Sequence, residues 1–347
     1  MIAKSSPVQR KPGVCYAAAP EGYDLPVIDT THPAFAVAPS ENELNARTEN
    51  YLRDQERRAK LPRWLNRLFF RIFLRKSVLA QSLRAAEGKF LDGFSTYRLK
   101  LGPENIDLSW ADPVDRAIAA SLPCLSLRLR LQDVARLLAE NLTPRLAARP
   151  NQALSLINIA GGPSMDSLNT LIILRKQHEA ALRGRTITIF VLDQDETGPA
   201  FAARALAALQ AHGGPLAGLP VELRRVSYNW NETDRLEDFL AASLPSNPLA
   251  AVSSEGGLFD YGSDKEITEN LKVLRDRLPT ETAMAGSVSR SDAPGTKLPH
   301  CMRFTTRPRK LDEFKELVSR SGWEASKVAS RPFSFNVLLT RKEQPAA

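Results

Sequence analysis

One run of the chain is apolar at nearly every position: Leu154, Leu156, Ile157 and Ile159, where a strand with one wet face would alternate. It reads as the central strand of a parallel sheet covered on both faces. The run breaks at Gly161 and Gly162. A helical pattern follows, with Leu168, Leu171, Ile172 and Ile173 on its apolar side and Ser164 as candidate cap. A strand, a tight turn and a helix start are therefore predicted over 154–166. Such a turn points backbone N–H groups and a positive helix end at the carboxyl edge of the sheet, where nucleotide-like ligands bind. An ordinary strand-to-helix connection is the plain alternative.

Strands and helices alternate from there on, which predicts a doubly wound sheet. The second strand, Ile187 to Leu192, runs into Asp193-Gln194-Asp195-Glu196, and a helix with Phe201, Ala205, Leu206 and Leu209 follows. A third, near Val221 to Val226, ends in Tyr228-Asn229-Trp230-Asn231 before a helix carrying Leu236, Phe239 and Leu240. The fourth, Leu249 to Val252, opens onto Ser253 through Tyr261. Ser263 and Glu266 make a capping-box pair ahead of Ile267, Leu271, Leu274 and Leu278, and Pro279 ends that helix. Thr282 to Val288 is a fifth strand. A helix over about Leu311 to Ser319 leads through Gly322-Trp323 to closing strands near Ala325 to Ala329 and Ser334 to Thr340.

Before residue 150 the pattern is helical. Residues 1–40 read as an irregular, proline-bearing arm, and a helix runs from Glu41 toward Lys60. From Trp64 to Arg75 the chain is apolar apart from Asn66 and the arginines, with Arg63, Arg67, Arg71 and Arg75 at four-residue steps along one stripe. That stripe fits an anionic membrane surface or an acidic partner; a packed helix with snorkelling arginines is the commoner arrangement. Phe94 to Arg98 reads as a loop between helices, and helical patterns over 113–146 break at Pro123. The predicted organisation is an arm (1–40), a helical lid or substrate region (41–150), a sheet domain (151–342) and a short tail (343–347).

Composition narrows this picture. The 347 residues are 43% hydrophobic, ample for a core, and the formal net charge is +8. Residues 53–76 alone hold nine Arg or Lys against Asp54 and Glu56, so the basic excess belongs to one segment rather than to the protein. That segment lacks the aromatic-basic interleaving of a nucleic-acid platform, and nucleic acid is not an expected partner. Cys15, Cys124 and Cys301 have neither disulfide nor metal spacing, and no run approaches a bilayer span, so a reducing cytoplasm is expected and no metal site. His32, His178 and His212 read as surface or structural residues.

An acid at the end of the second strand is placed to accept hydrogen bonds from ribose hydroxyls, and Asp193 holds that position with Asp195 as a second candidate. The G-x-G-x-x-G fingerprint of dinucleotide-binding dehydrogenases is absent, since the turn reads Ala160-Gly161-Gly162-Pro163-Ser164-Met165. The glycine turn, Asp193, Asn229-Trp230, the phrase from Glu255 to Tyr261 and the Gly322-Trp323 step, in that order over residues 125–342, resemble the class I S-adenosylmethionine-dependent methyltransferases. The resemblance implies a Rossmann-like, mostly parallel seven-stranded sheet with an antiparallel last strand. Departures are Asn158, where the family often has an acid, and Ala160 and Ser164, where it often has glycines.

What the resemblance implies for the site follows residue by residue. Asn158, Ala160, Gly161, Gly162, Asp193, Asn229, Trp230 and Ser254 would hold S-adenosylmethionine, with Trp230 as a core aromatic the alternative. Asn158 could hydrogen-bond the donor's amino group but brings no charge. Glu255, Tyr261 and His300 are candidates for a base or an acceptor-orienting group, and Phe259 would face the acceptor. Tyr97, Arg98 and Arg128 are candidate lid residues facing the cleft, where either arginine could grip an acceptor carboxylate or phosphate; structural ion pairs are their alternative. The expected activity is methyl transfer to an O or N atom of a small, acidic or carrier-bound acceptor. A nicotinamide-dependent oxidoreductase using NAD(P) and a catalytically silent binding protein of the same fold remain alternatives. A homodimer is an open alternative as well. The donor reading requires Asp193 to lie against the Gly161 bend and the sheet rim above it to be free of plugging side chains.

Overall fold

The computed structural model describes residues 10–60, 76–296 and 305–342. The segment 63–75, His300, Cys301 and the tail 343–347 lie outside the described residues.

The near-continuous apolar runs become the middle of a seven-stranded sheet in the order β5-β4-β3-β6-β7-β9-β8. These strands are β3 (Leu154–Ile159), β4 (Ile187–Leu192), β5 (Val221–Val226), β6 (Leu249–Ser254), β7 (Ala283–Ser289), β8 (Trp323–Ser330) and β9 (Ser334–Arg341). The first five run parallel, while β9 pairs antiparallel with both β7 and β8, as the resemblance implies. Every residue of β3, β4 and β6 is buried, and the period of two sorts their side chains onto opposite faces. Leu154, Leu156, Ile187, Ile189 and Ala251 enter one core layer, and Ile157, Ile159, Phe190, Leu192 and Val252 the other. β5 closes the edge and alternates, its Glu222 and Arg224 exposed.

The first layer is covered by three helices: α5 (Leu122–Ala148), α6 (Met165–Leu182) and α7 (Thr197–Gln210). Against the second lie α8 (Thr233–Ser243), the short α9 (Leu258–Tyr261), α10 (Asp264–Arg277) and α11 (Leu311–Arg320). The Ser263–Glu266 capping box forms as expected, and Trp323 is fully buried with its indole N–H on the Leu271 carbonyl at 2.9 Å.

The arm is less irregular than its sequence suggests. It makes a small antiparallel pair, β1 (Tyr16–Ala18) and β2 (Asp24–Pro26), and buries Leu25, Val27, Ile28 and Phe35 in the same core as α5 and the sheet. Helix α1 (Glu41–Ala59) starts at a Ser40 capping box; α2 (Val78–Ala85), α3 (Gly93–Leu99) and α4 (Pro113–Ala119) complete the region. The core therefore continues across residue 150, although α5 ends and β3 begins on either side of it.

Three expectations are corrected. Phe94 to Arg98 is helix, not loop, because Asp92 caps it by accepting the Ser95 N–H at 2.7 Å. The helical run breaks ahead of Pro123, which sits in the first turn of α5, where a missing N–H leaves nothing unpaired. Ser164 does not cap α6; it takes a left-handed conformation and its hydroxyl has no partner.

Candidate functional site

The turn after β3 is built from positive φ. Ala160 (+54°), Gly162 (+51°) and Ser164 (+53°) all adopt it, so the backbone that glycines would favour is kept by two residues with side chains. Gly161 is required for space: a Cβ there would fall on the Asn158 side chain.

The acid on β4 reaches this turn. Asp193 Oδ2 accepts the Gly162 N–H and Oδ1 accepts the Asp195 N–H, each at 2.9 Å. Burial raises the Asp193 carboxyl above its usual range, partly offset by those two N–H groups. Each oxygen keeps a lone pair for a further donor. Ala160, Gly161, Asp193, Asn229, Trp230 and Tyr261 remain half-exposed around the rim, and Phe90, 56% exposed, stands edge-on to Trp230 at 5.9 Å and to Tyr261 at 4.9 Å between ring centroids.

The rest of the rim is closed. A Cβ on Gly162 would stand 2.6 Å from Gly93 Cα, so at these two glycines the start of α3 rests directly on the turn. Gly162 thus serves close packing instead of lying open to a ligand. From the end of α3, Lys100 enters an ion pair with Glu255; Arg130 of α5 also pairs with Glu255 and reaches Asp260 at 3.0 Å. All four are buried. Burial alone would raise Glu255, but the cations on both sides hold it below the usual carboxylate range. Glu255 is therefore corrected from candidate base to a buried structural anion.

Beneath the turn lies a second polar set. Asn158 Nδ2 donates to Asp166 Oδ1 at 2.6 Å and to Ser253 Oγ at 3.0 Å, and the Ser167 N–H donates to Asp166 Oδ1 at 2.8 Å. Asn158 Oδ1, Asp166 Oδ2 and the hydroxyls of Ser164 and Ser167 are buried without a partner.

Several other predicted residues lie away from this rim or are committed. Tyr97 is a core residue whose hydroxyl donates to the Pro26 carbonyl. Arg98 pairs with Glu21 and covers the Phe94 ring, and Arg128 pairs with Glu104 at 2.6 Å, so both take their structural alternative. Phe259 is fully buried against Phe314. Ser254 binds the Ile159 carbonyl and the Leu258 N–H, which ties the loop after β6 to the end of β3. Lys100, Arg130, Asp166 and Phe90 were not anticipated. Of these, only Asp166 carried a signal, an acid two residues beyond the turn in the first turn of α6.

The strand order, with β3 at the crossover point between β4 and β6 and an antiparallel β9, is decisive. The fold is that of the class I methyltransferases. A solved structure from Bordetella parapertussis, named as a possible exported protein, shares it at 18% identity, covering 89% of this chain and 100% of that one with a TM-score of 0.56. The mitomycin 7-O-methyltransferase MmcR is 17% identical, with 76% of this chain and 66% of that one covered and a TM-score of 0.37. The corresponding values for the N,N-8-amino-8-demethyl-D-riboflavin dimethyltransferase RosA from Streptomyces davawensis are 14%, 67%, 60% and 0.38. No family profile and no curated protein sequence matches the chain. No described helix of this methyltransferase-fold protein is long and apolar enough to cross a membrane.

Proposed function

We propose that this chain is an S-adenosylmethionine-dependent methyltransferase acting on an O or N atom of a small-molecule acceptor. The observation that carries the reading is the Asp193 carboxylate on the Gly162 N–H, 31 residues apart in sequence. An acid held there, with spare lone pairs beside the half-exposed Ala160 and Gly161, suits a vicinal ribose diol. Trp230 and Phe90 offer apolar ring surface for a base alongside it. S-adenosylmethionine supplies an electrophilic methyl group on a sulfonium, so the chain needs chiefly to position the reactants and exclude water. Tyr261 is the acceptor-orienting group of this reading. Burial, and then the charge of Asp260, push its phenol above the ordinary value, so at neutral pH it offers a hydrogen bond and not a base.

The requirement of a rim free of plugging side chains is met beside Asp193 but not along Gly93, Lys100 and Arg130, and that closure favours a second reading, a silent binding protein of the same fold. Calorimetry with S-adenosylmethionine, S-adenosylhomocysteine and NADH tests the donor assignment. Micromolar binding of either S-adenosyl ligand without NADH binding is expected, and methyl transfer in an acceptor screen then separates enzyme from silent binder. Binding of NADH, or of none of the three, would refute the proposal.

A further inference from the structure

Residue 158 leaves a charge unaccounted for. On the donor assignment proposed above, the amino-acid end of S-adenosylmethionine would bring a cationic α-ammonium to the end of β3, and a cation out of water requires a counter-charge. Asn158 has none to give. It is fully buried, its amide N–H groups are committed to Asp166 and Ser253, and only its Oδ1 is unpaired.

The missing charge stands eight residues on. Asp166, 1% exposed, turns one oxygen to Asn158 and Ser167 and leaves Oδ2 without a partner. The charges that act on it are Glu255 after β6 and Lys100 at the end of α3, with the Ser253 hydroxyl also on the carboxyl; both charges belong to a buried cluster that Arg130 of α5 and Asp260 of α9 complete. Two cations and two carboxylates cancel in that set, so an ionised Asp166 is the unmatched charge. The first turn of α6 favours an anion at this position, and burial, followed by the repulsion of Glu255, pushes its carboxyl up to about 6.

We propose that Asp166 replaces the acid absent at residue 158: its free Oδ2, with the unpaired Asn158 Oδ1 beside it, receives the α-ammonium of the donor's amino-acid end. This rests on the donor assignment above and adds to it a selectivity. Ligands bearing a free amino group gain from Asp166, and the same nucleoside without it does not.

Calorimetry on the full chain tests this with two probes, S-adenosylhomocysteine and 5′-methylthioadenosine, which lacks the amino acid. Asp166→Asn keeps an oxygen for Asn158 and Ser167, and is expected to weaken S-adenosylhomocysteine by roughly 30-fold or more, as loss of a buried charge-assisted partner does. Affinity for 5′-methylthioadenosine should stay within about twofold. In the wild type, S-adenosylhomocysteine affinity should rise by about tenfold per unit as pH climbs toward 6 and level off above it, following one linked proton. The 5′-methylthioadenosine profile should stay flat. The pH arm needs no variant, so it decides the matter even where Asp166→Asn fails to fold. Equal loss of both ligands in the variant, or parallel pH profiles in the wild type, overturns the role of Asp166 while leaving the donor assignment standing. Absence of S-adenosylhomocysteine binding by the wild type overturns both.

Discussion

Asp166→Asn should stabilise the ligand-free protein, and do so only where the carboxyl would be ionised. Burial and the neighbouring Glu255 raise this group from 3.8 to about 6, roughly two units, and each unit is worth about 1.4 kcal/mol. Because the folded-state value lies above the unfolded one, the folded chain holds the proton more tightly. Stability is then lost as pH rises from about 4 to 6, and the loss persists above that. Asparagine does not ionise and keeps the oxygen that Asn158 and Ser167 use. Urea unfolding followed by tryptophan fluorescence at pH 4, 5, 6 and 7.5 should show the variant equal to wild type at pH 4 and up to about 3 kcal/mol more stable at pH 7.5. Saturating S-adenosylhomocysteine should shrink or reverse the difference, since the ligand stabilises only the chain that binds it. A constant offset across pH, or a destabilisation that grows with pH, would mean that Asp166 is already ionised and matched, and the reasoning from unmatched charge would fail.

Two further outcomes follow from the same contacts. Glu255→Gln removes the carboxylate that both buried cations, Lys100 and Arg130, pair with, and should cost about 3–5 kcal/mol in urea unfolding at pH 7; a loss below about 1 kcal/mol would show the cations repartnered on Asp166 and Asp260. Ala160→Gly removes a side chain from a φ of +54° and should raise stability by about 1 kcal/mol, read as an upward shift of the melting temperature.

The strands were legible because their burial is local in sequence. A run such as Leu154 to Ile159 must be covered on both faces wherever it sits, so the sheet centre and its parallel sense follow from composition alone. Turn and acid were legible for a related reason: each lies at the carboxyl end of such a strand, and neighbouring parallel strands set those ends side by side. Helix α3 was missed because it has seven residues, too few for a period to show, and owes its start to one capping aspartate.

The rim ion cluster was hidden for a different reason, which concerns phase. The sequence points to Arg98 and Arg128 as cleft residues, whereas the cations that enter the rim are Lys100 and Arg130, each two residues further along. Two residues turn a helix by about 200°, so each neighbour projects from nearly the opposite face. Nothing local distinguishes these phases. Arg128 lies on Glu104 and Arg130 on Glu255, and the difference is set by where the segment after α3 and the loop after β6 happen to run. Lys100 and Glu255 are 155 residues apart, a separation across which no spacing rule acts. Asp166 is hard to read from sequence for the same reason. Its spacing from the turn was visible, but its meaning depends on four charges from distant elements cancelling one another and leaving it alone. A buried carboxylate kept in that state costs stability that a neutral residue would not, and this is the reason to look for a cation that it binds.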